Sequence, residues 1–234
     1  MNLDTHSYMG GCLYWSGYHH INECLYLNKI LKDEMNFIDI GANQGELSLF
    51  ASKKIKNGKI ICFEPVSTNF KKLIQNIELN QLKNIELNQF GLSDKNAELP
   101  IYTDASNNTG GVNEGLSTLF KSDSKNQLEE TIILKVFDEI YFDNLNRLDF
   151  IKIDIEGSEL FALKGMKKTL EKFKPEILIE INDDCFNSAG YSSHDILDFL
   201  ESFGYLPYKI FRGKLIKHHG EFNNWGNYIF KVEK

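Results

Sequence analysis

At 234 residues the chain is long enough for one domain with a sizeable core and too short for two comfortable ones. Its composition, 42% hydrophobic and 25% charged with four prolines, is that of an ordinary folded protein, and no apolar run approaches the ~20 residues of a bilayer span. A formal charge of -7, from 33 acidic and 26 basic residues without a block of like charges, argues against phosphate neutralisation and hence against a nucleic-acid partner.

The start, Met1 to His6, lacks the basic and apolar stretches of a signal peptide, so a cytoplasmic protein is expected. Cys12, Cys24, Cys62 and Cys185 form no C-x-x-C pair, and neither disulfides nor zinc are expected. Residues 1–34 read as an N-terminal helical segment, with a helix over Ile21 to Leu31, that covers the domain formed by residues 35–234. Phe37 to Ile40 reads as a strand, Leu47 to Ile55 as a helix, Lys59 to Glu64 as a strand and Thr68 to Leu82 as a helix. Asn84 to Gly91 and Phe150 to Asp154 read as strands, followed by a helix from about Ser158 to Lys172. Pro175 ends that helix, and Glu176 to Ile181 is a fifth strand. A last strand around Tyr228 to Val232 is expected to run antiparallel at or near the sheet edge. This α/β alternation predicts a mostly parallel sheet of about seven strands with helices on both faces. Ligands of such sheets bind beyond the carboxyl ends of the strands, where Asp39, Glu64, Asp154 and Glu180 lie. Residues 104–117 are a polar, glycine-rich loop long enough to suggest a functional role.

The turn Asp39-Ile40-Gly41-Ala42-Asn43-Gln44-Gly45 joins the first strand to the first helix of the alternation. A dinucleotide turn needs G-x-G-x-x-G, so that a pyrophosphate can rest on the helix N-terminus. Aligned on Gly41, Asn43 obstructs that pyrophosphate and Glu46 repels it, which rules against a nicotinamide enzyme. S-adenosylmethionine carries no phosphate, and its cationic sulfonium suits Asp39. Glu64, 25 residues after Asp39, can accept both ribose hydroxyls.

The chain resembles the FkbM-type methyltransferases. The resemblance rests on residues 37–45 (FIDIGANQG), on Phe63-Glu64-Pro65, on Gly91-Leu92-Ser93-Asp94 and on Gly115 to Leu119. Its most distinctive stretch is Asp149 to Glu159 (DFIKIDIEGSE). It covers about residues 36–182 and implies a Rossmann-like class I fold and an O-methyltransferase acting on hydroxyls of sugars or other secondary metabolites. It also implies that Gly91, Leu92 and Ser93 border the adenine. The chain departs from the family pattern at Gly91, usually Ala, and at Phe137-Asp138-Glu139, usually Thr-Leu-Asp.

An alcohol acceptor must lose its proton, so a base or a metal is expected beside it. Asp154 and Glu156 are the candidate bases. Asp154, Glu180 and Asn182, at the ends of two strands, are candidate oxygen ligands for Mg²⁺ or Mn²⁺. His194, His19-His20 and His218-His219 stand in polar surroundings and read as surface or binding-rim residues. The loop from Asp104 to Gly115 and the N-terminal segment through His20, with Tyr14, Trp15 and Tyr18, are expected to form the acceptor pocket. The acceptor is expected to be a glycan or small-molecule hydroxyl. A protein acceptor and a non-catalytic cofactor-binding module are the alternatives.

Overall fold

The computed structural model describes residues 20–104, 117–120 and 125–233. In chain order, α1 (Ile21–Ile30) precedes β1 (Phe37–Ile40), followed by α2 (Glu46–Ser52), β2 (Ile60–Phe63), α3 (Ser67–Leu79), β3 (Ile85–Asn88) and β4 (Gly91–Leu92). The antiparallel pair β5 (Ala97–Asp104) and β6 (Lys125–Lys135) leads to α4 (Phe137–Ile140) and β7 (Phe150–Ile153). Then come α5 (Glu159–Lys164), α6 (Lys167–Phe173), β8 (Glu176–Asn182), α7 (Asp183–Ala189) and α8 (Ser193–Glu201). The strands β9 (Tyr205–Phe211), β10 (Lys214–Lys217) and β11 (Trp225–Val232) close the chain. None of the described helices is long and apolar enough to cross a membrane.

The main sheet has the order β10-β9-β11-β8-β7-β1-β2-β3, parallel from β8 to β3. Every residue of β1, β2 and β7 is buried, as expected for strands covered on both faces. Strand alternation divides them between two cores. Ile38, Ile40, Phe63 and Ile153 join Leu163, Leu170 and Leu200 on one face. Phe37, Cys62 and Phe150 join Leu27, Leu47 and Leu73 on the other. Through Leu27 and Cys24, α1 is part of that second core.

The structure refines three of the expected elements. β11 is antiparallel but lies between β8 and β9, so the edge falls to β10. β10 exists because Arg212 and Gly213 both take positive φ, the backbone of a tight hairpin turn. The strand expected over Asn84 to Gly91 divides: β3 stays in the main sheet, whereas β4 pairs with β6 in a small second sheet ordered β4-β6-β5. The helix expected from Ser158 to Lys172 breaks near Gly165, which abuts the segment after β4. A Cβ there would lie 2.1 Å from the Ser93 carbonyl oxygen.

Candidate active site

At the carboxyl end of the parallel strands lies a cavity of about 520 Å³, within the range of small-molecule sites. Its floor is the glycine turn. Gly41 (φ +78°) packs so tightly against the end of β7 that a Cβ would lie 2.0 Å from the Asp154 carbonyl oxygen. Gly45 takes a left-handed conformation at the start of α2; it shapes the turn but does not line the cavity. Asn43 is also left-handed (φ 49°), and its buried Oδ1 has no hydrogen-bond partner among the described residues. A non-glycine residue held there stores strain of a kind that concentrates at ligand sites.

Glu64 follows β2 and is 4% exposed. It accepts hydrogen bonds from the Asn43 N–H (2.8 Å) and the Val66 N–H (2.9 Å), one on each oxygen, and faces the cavity. Burial pushes its carboxyl up to about 7, against the pull of those two N–H groups and of Lys152. Ribose hydroxyls donated to the same oxygens would favour the ionised form. Beside Glu64 the wall turns apolar, formed by Val66, Gly91, Leu92, Ile101, Ile132 and Leu134, and offers flat surface to an adenine. Ser93 is buried but does not line the cavity; its N–H donates to the Lys135 carbonyl.

Asp39 is buried under the turn. Ser48 donates to its Oδ2, and Oδ1 lies 3.4 Å from Lys152 Nζ. Lys152 Nζ also donates to the Gly41 carbonyl (2.6 Å) and lies 3.6 Å from Asp154. Burial works against the ammonium, yet Asp154 and Asp39 hold its pKa above the ordinary value. Sequence reasoning gave Lys152 no role. Its burial beside Asp39 makes it the counter-ion of the turn.

On the other side of β1, Asp154, Glu156 and Glu180 converge, each offering an oxygen within 4.8 Å of the others. Glu156 lies beyond β7 and is brought in by a left-handed turn (φ 52°), not by strand alternation. Glu159, also unassigned by sequence reasoning, holds that turn: its carboxylate accepts the Ile155 N–H (2.8 Å) and the Gly157 N–H (2.9 Å). Cys185 Sγ lies 3.3 Å from Glu156 Oε2, and Thr118 Oγ1 donates to the Glu156 carbonyl (2.7 Å). Burial, then Asp154, Glu156 and Glu159, push Glu180 up to about 9, although Trp225 Nε1 donates to it at 2.9 Å. Asn182 lines the cavity, and its Oδ1 accepts the Cys185 N–H (3.4 Å) as the N-cap of α7. Trp225, 64% exposed, forms part of the rim.

His20 lines the cavity from the start of α1, its Nδ1 3.5 Å from Glu46 Oε2. The remainder of the expected acceptor pocket, residues 1–19 and 105–115, lies outside the described residues.

The strand order sets the site out in line. Glu64 is one strand to one side of β1, Asp154 one strand to the other, and Glu180 one strand farther. At ~4.8 Å per strand, Glu64 and the oxygen cluster fall on the order of 10 Å apart or more. A ligand with a nucleoside at one end and a cationic centre near the middle fits this line. The fit is chemical as well: an apolar wall, a two-oxygen acceptor at Glu64, then carboxylates.

The model of the FkbM methyltransferase domain matches residues 39–207. "Methyltransferase 1" of Beauveria bassiana is 25% identical over 172 residues, and "Methyltransferase sdnD" of Sordaria araneosa 29% over 167. These matches cover 64% and 61% of this chain, but only 66% and 64% of those two proteins. The crystal structure of Methyltransferase FkbM from Methylobacillus flagellatus superposes with a TM-score of 0.58 at 21% identity, over 94% of this chain and 50% of that one. At that identity it shows the fold, a Rossmann-like methyltransferase architecture. With the motifs of the glycine turn and of residues 149–159 both inside the matched span, the chain belongs to the FkbM methyltransferase domain family.

Proposed function

We propose that the chain is an S-adenosylmethionine-dependent O-methyltransferase whose acceptor is a hydroxyl of a carbohydrate or related small molecule. The observation that carries this reading is the convergence of Asp154, Glu156 and Glu180 beside the cofactor line. Bound cofactor supplies an electrophilic methyl group on a sulfonium, and alignment with the acceptor contributes much of the acceleration. Glu64 fixes the ribose, while Asp39 and Lys152 hold the turn beneath it. An acceptor hydroxyl lying against the cluster would give its proton to Asp154 or Glu156 as the new O–C bond forms and the sulfonium–methyl bond breaks, its electron pair returning to sulfur to leave S-adenosylhomocysteine. Burial and the neighbouring carboxylates raise the pKa of Glu180, which favours the protonated form that could donate a hydrogen bond in the same place. Trp225 offers a sugar an exposed ring face at the rim. The acidic cavity and the net charge of -7 disfavour a nucleic-acid acceptor.

A second reading is favoured by the same cluster: three carboxylate oxygens so close together suit Mg²⁺ or Mn²⁺, which would lower the acceptor pKa directly. Mass spectrometry of candidate glycans and small polyols incubated with methyl-labelled cofactor, before and after chelation, tests both. Label on a hydroxyl oxygen supports the first reading. Label only on nitrogen, on carbon or on protein overturns it. Loss of transfer on chelation, restored by Mg²⁺ or Mn²⁺, assigns the cluster to a cation, whereas full retention assigns the proton to Asp154 or Glu156.

A further inference from the structure

The amino-acid end of the cofactor poses a charge problem that this cavity has to solve. Asp39, Glu46, Glu64, Asp154, Glu156 and Glu180 all line it. They suit the sulfonium and the ammonium group and repel the carboxylate. Among the described lining residues the cationic side chains are Lys152 and His20. Lys152 is committed below the turn, between the Gly41 carbonyl, Asp39 and Asp154. Much of the turn's backbone is committed as well. The Gly41 and Ala42 N–H groups donate to the Phe63 carbonyl, Asn43 N–H to Glu64 and Gly45 N–H to the Ala42 carbonyl.

His20 lies on the β7 side of the turn. A small void of about 10 Å³ is shared by His20, Lys152 and Asp154, and Glu46, the first residue of α2, holds Nδ1 at 3.5 Å. We infer that His20, as an imidazolium held by Glu46, binds the carboxylate of the cofactor's methionine end. This assigns His20 to the cofactor, not to the acceptor pocket expected from sequence, and it rests on the S-adenosylmethionine reading. The charged groups around the ring are Glu46 from α2, Glu23 from α1, and Asp154 and Lys152 from the end of β7. Burial opposes the charge, but Glu46, Asp154 and Glu23 outweigh it and raise the pKa of His20, favouring the imidazolium. The carboxylate adds a partner on the cavity side. Docking α1 through Leu27 and Cys24 into the core under α2 makes this contact geometrically reproducible.

The inference is tested by a ligand-by-residue cycle read by calorimetry, without acceptor or turnover. The ligands are S-adenosylmethionine and its decarboxylated analogue, which keeps nucleoside, sulfonium and amine. Because both ligands use Glu64 equally, their affinity ratio is insensitive to its titration. The wild-type chain should bind the parent at least about tenfold more tightly, the scale of one charge-assisted hydrogen bond. In His20→Ala and His20→Gln that ratio should collapse towards one, and in His20→Lys it should be largely retained. An unchanged ratio in both neutral variants, whether or not both ligands weaken together, overturns the assignment and leaves His20 as a structural part of α1. A wild-type chain that binds neither ligand overturns the cofactor reading itself, a result distinct from failure of the His20 assignment.

Discussion

Glu64→Gln separates the binding role of this residue from its cost to the fold, because the two move in opposite directions. The carboxyl rises from 4.5 to about 7 on folding. A carboxyl raised in this way opposes folding: the unfolded chain releases its proton first, so wild-type stability declines between pH 4.5 and 7 and the loss is complete above 7. At 1.36 kcal/mol per pKa unit, the loss is roughly 3 kcal/mol for a group this deeply buried. Glutamine removes the charge but turns an amide NH₂ towards one of the two N–H donors, Asn43 or Val66. That mismatch costs about 1–3 kcal/mol. Near pH 4 only the mismatch remains and the variant should be the less stable protein. At pH 8 relief of the buried charge offsets it, so the difference between variant and wild type should shift by roughly 3 kcal/mol in the variant's favour. Over the same change, S-adenosylhomocysteine should bind about 1.5–3 kcal/mol more weakly, since one ribose hydroxyl loses its charged acceptor. Urea denaturation at the two pH values and calorimetry with the product measure both. A stability difference independent of pH, together with unchanged affinity, would refute both the burial argument and the ribose assignment.

Lys152→Met should destabilise the fold by about 3–5 kcal/mol, because Asp39 would be left buried without its counter-ion; urea denaturation measures this, and Asp39→Asn in the same chain should recover part of it. An unaltered midpoint would remove the pair from the foundation of the turn. Trp225→Ala should leave the melting temperature nearly unchanged, as befits a ring 64% exposed, yet raise the acceptor KM about threefold to tenfold. A change in product affinity instead would place this ring over the cofactor.

Much of this protein is legible in its sequence because the relevant physics is local. Apolar runs such as Ile60 to Phe63 can be buried only by helices on both faces, and Gly41, left-handed against the Asp154 carbonyl, tolerates no other side chain. Asn43 and Glu46 likewise argue against a dinucleotide from their own chemistry. What sequence could not supply are relations between distant segments. The division of the third strand at Gln89 and Phe90 depends on β6, more than thirty residues later, offering β4 a partner. Glu156 joins the carboxylates of the oxygen cluster because a left-handed turn, held by Glu159, swings it inward. His20 could be read only as one of a polar pair until α1 docked beside α2 and set it against Glu46. Side-chain periodicity fixes which face of an element is buried. Which charges share a cavity is decided by the packing of whole elements, and the pKa values of Glu64 and Glu180 follow from that packing.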